Sequence, residues 1–230
     1  MIESPTRDYR YERKFLVEEL DVGQVRLMVK RHPSMFYETY PPRVVNNLYL
    51  DTEEMDNYYA NLSGAAERRK VRVRWYGELF GAVASPVLEF KIKSGLVGKK
   101  QSYPFPALRL DENFSQRTFQ ELARDSDLPD PVRHHLRTLN VVLRNNYRRW
   151  YYATKDGHYR LTVDAEMAYY RVRKFENHFI NRVLDDGRVI VEMKYEKPFE
   201  PQSDRVAGFF PFRITRNSKY VTGIESVYLS

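Results

Sequence analysis

Three short segments place a carboxylate and a lysine two positions apart within a strand-like alternation. They are Glu12-x-Lys14 in RYERKFLV (10–17), Glu89-x-Lys91 in VLEFKIK (87–93) and Glu192-x-Lys194 in RVIVEMKYE (188–196). Side chains alternate across a strand, so residues at i, i+2 and i+4 share one face. The first segment puts Arg10, Glu12 and Lys14 on one face, and the second puts Glu89, Lys91 and Lys93 opposite Leu88, Phe90 and Ile92. RKVRVRW (69–75) sets Lys70, Arg72 and Arg74 against Val71, Val73 and Trp75, and the third Glu-x-Lys copy is set against Val189, Val191 and Met193. Period-two segments of this kind read as antiparallel strands with one apolar and one charged face.

The rest of the chain is read as an α+β arrangement around these strands. Asp21 caps a helix over ELDVGQVRLMVKRH, and VVNNLYLDT is a strand. Asp51 and Glu54 have capping-box spacing before EEMDNYYANLSG, a helix ending near Gly64. GELFGAVASP is a turn or hairpin connection, SGLVGKKQS a loop, and SYPFPAL an extended piece limited by its prolines. SQRTFQELARD and DPVRHHLRTLNVVL read as helices, the second started by Pro131. Strands return in NYRRWYYA, YRLTVDAEM and RVIVEMKYE, with TKDGHY and DDGR as turns. The tail TRNSKYVTGIESVYL reads as a helix interrupted by Gly223. With strands outnumbering helices, hairpins recurring and no linker, residues 1–230 are expected to form one domain.

Several chemistries are excluded. The chain has no cysteine, hence no disulfide, thiolate metal site or cysteine nucleophile. SGLVGKKQS lacks the spacing and following helix of a P-loop. His134 and His135 are adjacent and face different ways on a helix, so they do not form a ligand pair. No serine sits in a nucleophile elbow. No apolar run approaches the ~18 residues that span a bilayer, and MIESPTRDYRYERKF has no apolar core of a signal peptide. A cytoplasmic location is expected, with membrane association through a partner.

Lys and Arg total 38 against 31 Asp and Glu, a net charge of +7, which favours an anionic partner. The ordinary reading of the charged faces is a solvated outer surface with cross-strand Glu–Lys pairs. The sharper reading is a closed barrel with its apolar face outward under helices and its charged face lining a wet lumen. On the four strands above, Arg10, Lys14, Lys70, Arg72, Arg74, Lys91, Lys93 and Lys194 outnumber Glu12, Glu89 and Glu192. Such a surplus in a confined space needs anions to pair with it. YRLTVDAEM continues the pattern with Arg160, Thr162, Asp164 and Glu166, whereas Arg148 and Arg149 point opposite ways.

The ordered set RYERKF, NNLYLDT, RRKVRVRWYG, VLEFKIK, YRLTVD, VIVEMKYE and NSKYVTG resembles the VTC domain over about residues 8–225. This is the polyphosphate polymerase module of the vacuolar transporter chaperone family, within the triphosphate tunnel metalloenzymes. The resemblance implies an eight-stranded antiparallel β-barrel tunnel with helices packed outside. It also implies transfer of the γ-phosphoryl group of ATP to polyphosphate, assisted by Mn²⁺ or Mg²⁺. Lys14, Arg72, Arg74, Lys91, Arg149 and Arg160 would contact phosphates, together with Lys194, and Lys219 matches a lysine at the tunnel mouth. Arg10, Lys70 and Lys93 would be further nucleotide-holding cations. Glu192 would ligate the metal, with Glu89 and Glu12 as secondary candidates that orient lysines. Charge alone suggests Lys99 and Lys100 as guides for the product chain.

One departure narrows the chemistry. Related CYTH triphosphatases begin Glu-x-Glu-x-Lys, but here Arg10 replaces the first carboxylate of Arg10-Tyr11-Glu12-Arg13-Lys14. That weakens a two-metal triphosphatase and suits a site richer in anion. The expected ligands are ATP and polyphosphate, with no nucleic acid. No SPX inositol-phosphate-sensing domain or membrane segment is recognised, so a membrane protein is a candidate partner for export or regulation. The alternatives are an inorganic or nucleoside triphosphatase of the same fold and a non-catalytic polyanion- or nucleic-acid-binding module. The interleaved tyrosines and phenylalanines of the latter would supply stacking surfaces.

Overall fold

The computed structural model describes residues 10–94, 97–175, 177, 179 and 182–229, without the side chains of Arg10 and Val97. In chain order the elements are β1 (Arg10–Val17), α1 (Val22–Lys30), β2 (Tyr37–Asp51), α2 (Asp56–Leu62), β3 (Glu67–Tyr76), β4 (Gly81–Val83), β5 (Val87–Ser94) and β6 (Val97–Pro104). There follow β7 (Leu108–Leu110), α3 (Gln116–Arg124), α4 (Asp130–Leu136), β8 (Asn140–Ala153), β9 (Tyr159–Arg171), β10 (Arg182–Asp185) and β11 (Val189–Glu196). The chain ends with α5 (Glu200–Gly208), β12 (Arg213–Ile214), α6 (Lys219–Ile224) and a π-turn over Glu225–Leu229.

The fold is α+β, and its main sheet has the hydrogen-bonded order β12-β1-β11-β9-β8-β2-β3-β5-β6, with β10 on β9. The described ladders do not join β6 to β12, so closure into an eight-stranded tunnel belongs to the proposal below. The chain forms two compact units. One comprises Met1–Pro42, Arg148–Glu166 and Asp186–Asn217; the other comprises Arg43–Tyr147, Met167–Asp185 and Ser218–Ser230. The long strands β2, β8 and β9 contribute to both.

In the first unit, β1 pairs with β11 so that Lys14 lies opposite Glu192 and Glu12 opposite Lys194. The alternate face carries Phe15, Val17, Val163, Val191 and Met193, which pack with Val25 and Val29 of α1 and Val206 and Ala207 of α5. Asp21 and Gln24 form the expected capping box of α1. In the second unit, β3 lies between β2 and β5. Val71, Val73, Trp75, Leu88 and Phe90 pack with Phe119 and Ala123 of α3 and Leu136 of α4. In each unit helices therefore cover the apolar strand face, leaving the charged face on the other side.

Several expectations are corrected. SGLVGKKQS is not simply a loop: from Val97 onward it is β6, paired with β5, while Gly95 and Leu96 lie outside the described residues. The helix begun at Pro131 ends at Leu136, because Val141 and Val142 belong to β8; β-branched residues suit a strand better. Asp51 and Glu54 do not form a capping box. The N-cap of α2 is Met55, in the left-handed region (φ 62°) with no side-chain cap. Asp51 instead accepts hydrogen bonds from the Asn57 and Tyr58 N–H groups at 2.8 and 2.9 Å, satisfying first-turn donors from outside the helix. Gly223 lies within α6 rather than interrupting it. Neither α5 nor β10 was anticipated.

Candidate functional site

The charged faces are not ordinary solvated surfaces, because their central side chains are largely covered. In the first unit Lys14 Nζ lies between two carboxylates, 2.9 Å from Glu12 Oε1 and 3.2 Å from Glu192 Oε1. It also approaches the Asn217 carbonyl at 3.4 Å. Burial pulls the Lys14 pKa down, but the Glu192 and Glu12 carboxylates outweigh it and raise it above its usual value. Lys194 Nζ lies 3.5 Å from Glu192 and 3.9 Å from Glu12. Thr162 stands opposite Glu192 on β9, and its buried hydroxyl has no hydrogen-bond partner among the described residues. Arg149 binds the fully buried Asp164 with two parallel hydrogen bonds of 2.6 and 2.7 Å. Arg160, opposite Lys194, is exposed.

In the second unit Glu89 is the focus. Arg72 approaches Glu89 Oε2 through Nε at 2.8 Å and Nη2 at 2.6 Å. Arg74 Nη1 stands 3.8 Å from the same oxygen, and Lys100 Nζ is 2.5 Å from Oε1. Three cations thus share one carboxylate, which is only 8% exposed. Burial alone would raise the Glu89 pKa, but Arg72, Arg74 and Lys100 bring it down to about 2. Arg74 donates further to Asn47 Oδ1 at 3.0 Å and Tyr147 Oη at 3.2 Å. Asn47 in turn donates to Asn145 Oδ1 at 2.8 Å. The Asn145 amide nitrogen is buried and has no acceptor among the described residues. A cationic cluster with an orphaned donor suits an anionic oxygen ligand.

Helix α6 belongs to this same unit. Ser218 caps it and accepts a 2.6 Å hydrogen bond from Lys70 Nζ. Lys219 Nζ lies 4.8 Å from the centre of the Tyr147 ring. Tyr220 donates to the buried Asp51 carboxylate and stacks on Tyr49, with ring centres 5.0 Å apart. A Cβ at Gly223 would come within 2.6 Å of both Leu143 and Tyr169, so only glycine lets the helix approach this closely.

The expected site residues thus fall into two clusters, one per unit. Glu12, Lys14, Glu192 and Lys194 meet, as do Arg72, Arg74 and Glu89; Lys70, Lys91 and Lys93 lie on neighbouring positions of β3 and β5. The Arg10 side chain lies outside the described residues. Asp164 is expected on the charged face but not as the partner of Arg149, and Tyr49, Tyr147, Ser218 and the asparagine pair Asn47–Asn145 were not anticipated. A usable signal existed for the last of these. Two Asn-Asn dipeptides, Asn46-Asn47 and Asn145-Asn146, interrupt otherwise strand-forming segments, and asparagine is depleted in strands.

Among the described residues, no group of three or more His, Asp or Glu side chains converges into a metal cage. The donor set of Glu12 and Glu192 nevertheless fits Mg²⁺, which is commonly bound by one or two carboxylates with water and substrate phosphates completing its shell. Glu89 fits less well, because its oxygens already face three cations.

Comparison with known proteins identifies the family. The VTC domain model matches residues 9–228. No curated protein matches the sequence. Among the solved structures that share the fold are two with a TM-score of 0.52 each. The PH1819 protein of Pyrococcus horikoshii OT3 is 12% identical, with 94% of this chain and 99% of that one covered. A protein of Vibrio parahaemolyticus described as a "putative adenylate cyclase" is 10% identical, with 93% and 96% covered. No helix among the described residues is long and apolar enough to cross a membrane.

Proposed function

The chain belongs to the VTC domain family, and from that premise we propose that it transfers the γ-phosphoryl group of ATP to a growing polyphosphate chain. The observation that carries this proposal is the sharing of one carboxylate, Glu89, by Arg72, Arg74 and Lys100. The arrangement gathers three cations around one buried carboxylate, a geometry that the oxygens of a triphosphate would complement. Closure of the strands into an eight-stranded tunnel is part of the same proposal.

In the reaction a terminal oxygen of the polyphosphate attacks the γ-phosphorus, the bond to the β-γ bridging oxygen breaks, and ADP leaves with that oxygen. Phosphoryl transfer asks for positioning and charge neutralisation more than for covalent chemistry. Arg72 and Arg74 supply planar donors suited to phosphate oxygens. Glu89 holds the Arg72 guanidinium, and Asn47 and Tyr147 hold that of Arg74. Lys14, kept protonated between Glu12 and Glu192, supplies a fixed positive charge. Glu192 with Glu12 would hold Mn²⁺ or Mg²⁺, which when bound neutralises phosphate charge. Arg149, Arg160, Lys194 and Lys219 are proposed as further phosphate contacts.

The test is incubation of the purified chain with ATP and Mn²⁺, reading long-chain polyphosphate, ADP and free phosphate together. Polymer with ADP supports the polymerase. Free phosphate without polymer replaces it with a triphosphatase, and no turnover in either form overturns the enzymatic assignment.

A further inference from the structure

In the second unit three polar side chains are embedded on the apolar strand face, opposite the charged one. Asn47 and Asn145 bond to each other on the charged side, so their neighbours Asn46, Arg144 and Asn146 take the other face. Arg144 is 0% exposed. Its Cζ lies 4.3 Å from the centre of the Phe80 ring, 4.5 Å from Tyr170 and 4.8 Å from Phe179. Rings at these distances offset part of a cation's charge, but guanidinium N–H groups still call for acceptor atoms. Nη2 reaches the Leu79 carbonyl at 3.4 Å, while Nε and Nη1 have no partner among the described residues. Burial brings the Arg144 pKa down to about 10 against an opposing effect of Tyr170, with no carboxylate contributing, so the group stays protonated at neutral pH. A buried charge without a counter-charge is costly.

The segment over Arg144, residues 77–80, is tied down through its carbonyls. Asn46 Nδ2 donates to Gly77 and Glu78 at 3.0 and 3.5 Å, and Trp75 Nε1 donates to Glu78 at 3.0 Å. Gly77 and Gly81 flank the segment with φ of 95° and 91°, a region open to glycine at no steric cost. Phe80 is 48% exposed although its ring lies against the fully buried guanidinium, so one mobile-ended side chain separates Arg144 from water. The Oδ1 atoms of Asn46 and Asn146 are buried and without donors among the described residues. Native structures leave few buried polar groups unpaired, and here orphaned donors and orphaned acceptors share one face.

We propose that Arg144, Asn46 and Asn146 form an anion site, separate from the charged face, that takes one hydrogen phosphate ion when Phe80 swings aside. Phosphate at neutral pH carries anionic oxygens, which accept from Arg144, and a hydroxyl, which donates to an asparagine oxygen. Sulfate and carboxylates present acceptors alone and leave those oxygens unpaired. The three rings around Arg144 restrict the site to a single small ion. This assignment does not depend on the polymerase proposal.

Trp75 is bonded to the covering segment, so its fluorescence reports on that segment. The chain has two tryptophans, and Trp150→Phe leaves Trp75 as the sole emitter. The experiment titrates this protein with sodium phosphate, sodium sulfate or sodium acetate at neutral pH and constant ionic strength. Phosphate should change the emission saturably, and sulfate and acetate should bind at least about tenfold more weakly. Arg144→Met should abolish the response. Asn146→Asp keeps the side-chain shape and supplies an internal carboxylate. It should melt higher than the parent without phosphate and bind phosphate at least about tenfold more weakly, and it keeps the test open if Arg144→Met does not fold. Arg72→Ala, on the charged face, should leave the response unchanged. A full response in Arg144→Met or Asn146→Asp would overturn the site. Loss of the response in Arg72→Ala would overturn it too, by placing the ion on the charged face. Equal affinity for sulfate would remove the asparagine oxygens and with them the assignment to hydrogen phosphate. No response to any of the three anions would mean that water completes the cluster, and the site would be withdrawn.

Discussion

Glu192 touches both Lys14 and Lys194, so its charge can be removed with little change of shape. Glu192→Gln keeps a carbonyl able to accept from Lys14 while giving up the negative oxygen that a hard divalent cation prefers. The variant should retain its fold and lose about a hundredfold or more in metal-dependent turnover. Normal turnover with an unchanged circular dichroism spectrum would remove Glu192 from the metal site. Arg74 makes a different prediction. Its guanidinium is held by Asn47 and Tyr147 and stands back from Glu89 at 3.8 Å, leaving it available for a phosphate. Arg74→Ala should weaken ATP binding by about 1.5–3 kcal/mol, or roughly ten- to a hundredfold in Kd. Titration with ATP checks this, and unchanged affinity would mean that Arg74 serves only the Asn47–Tyr147 network.

At the scale of elements, the strands bearing charge are legible because their alternation is strict; RKVRVRW divides between two faces on its sequence alone. The register was not legible, because alternation says which face a residue takes but not which residue stands opposite. The pairing of Lys14 with Glu192 and the alignment of Lys70, Lys91 and Lys100 therefore emerged only from the ladders. Arg148 and Arg149 were ambiguous for a related reason: being adjacent they take opposite faces of β8, and alternation does not say what either one meets. Arg148 meets the exposed Glu166, while Arg149 meets the buried Asp164. Helix α6 looked interrupted because glycine is a helix breaker by propensity, yet tertiary contact requires glycine at position 223. Gly223→Ala should improve local propensity but force Leu143 and the Tyr169 ring apart, costing about 1–3 kcal/mol by overpacking. A melting temperature equal to or above the parent's would show that the seat of α6 is looser than 2.6 Å contacts imply.

At the scale of the whole molecule, acid acts on a chain that already carries +7 at neutral pH, and Glu89 provides a specific route by which it destabilises. Its folded pKa of about 2 lies below the ordinary glutamate value of 4.5. The stabilisation from this pairing is therefore fully present above about pH 4.5 and is lost as pH falls toward 2. The gap corresponds to stabilisation on the order of 3 kcal/mol at neutral pH. Lys14, whose folded pKa is raised, has the opposite dependence. Its contribution is complete below the ordinary lysine pKa and is lost only as alkaline pH rises through the folded value. Glu89 thus governs the acid side and Lys14 the alkaline side. Urea denaturation of the parent between pH 7 and 2.5 should show stability falling below about pH 4.5. Glu89→Gln leaves Arg72, Arg74 and Lys100 without their shared anion and should be several kcal/mol less stable than the parent at pH 7. Because protonation removes the same charge from the parent, the gap between the two proteins should narrow steadily as pH approaches 2. A gap independent of pH would mean that the cost of Glu89→Gln comes from lost packing or hydrogen bonding and not from the charge that the three cations share.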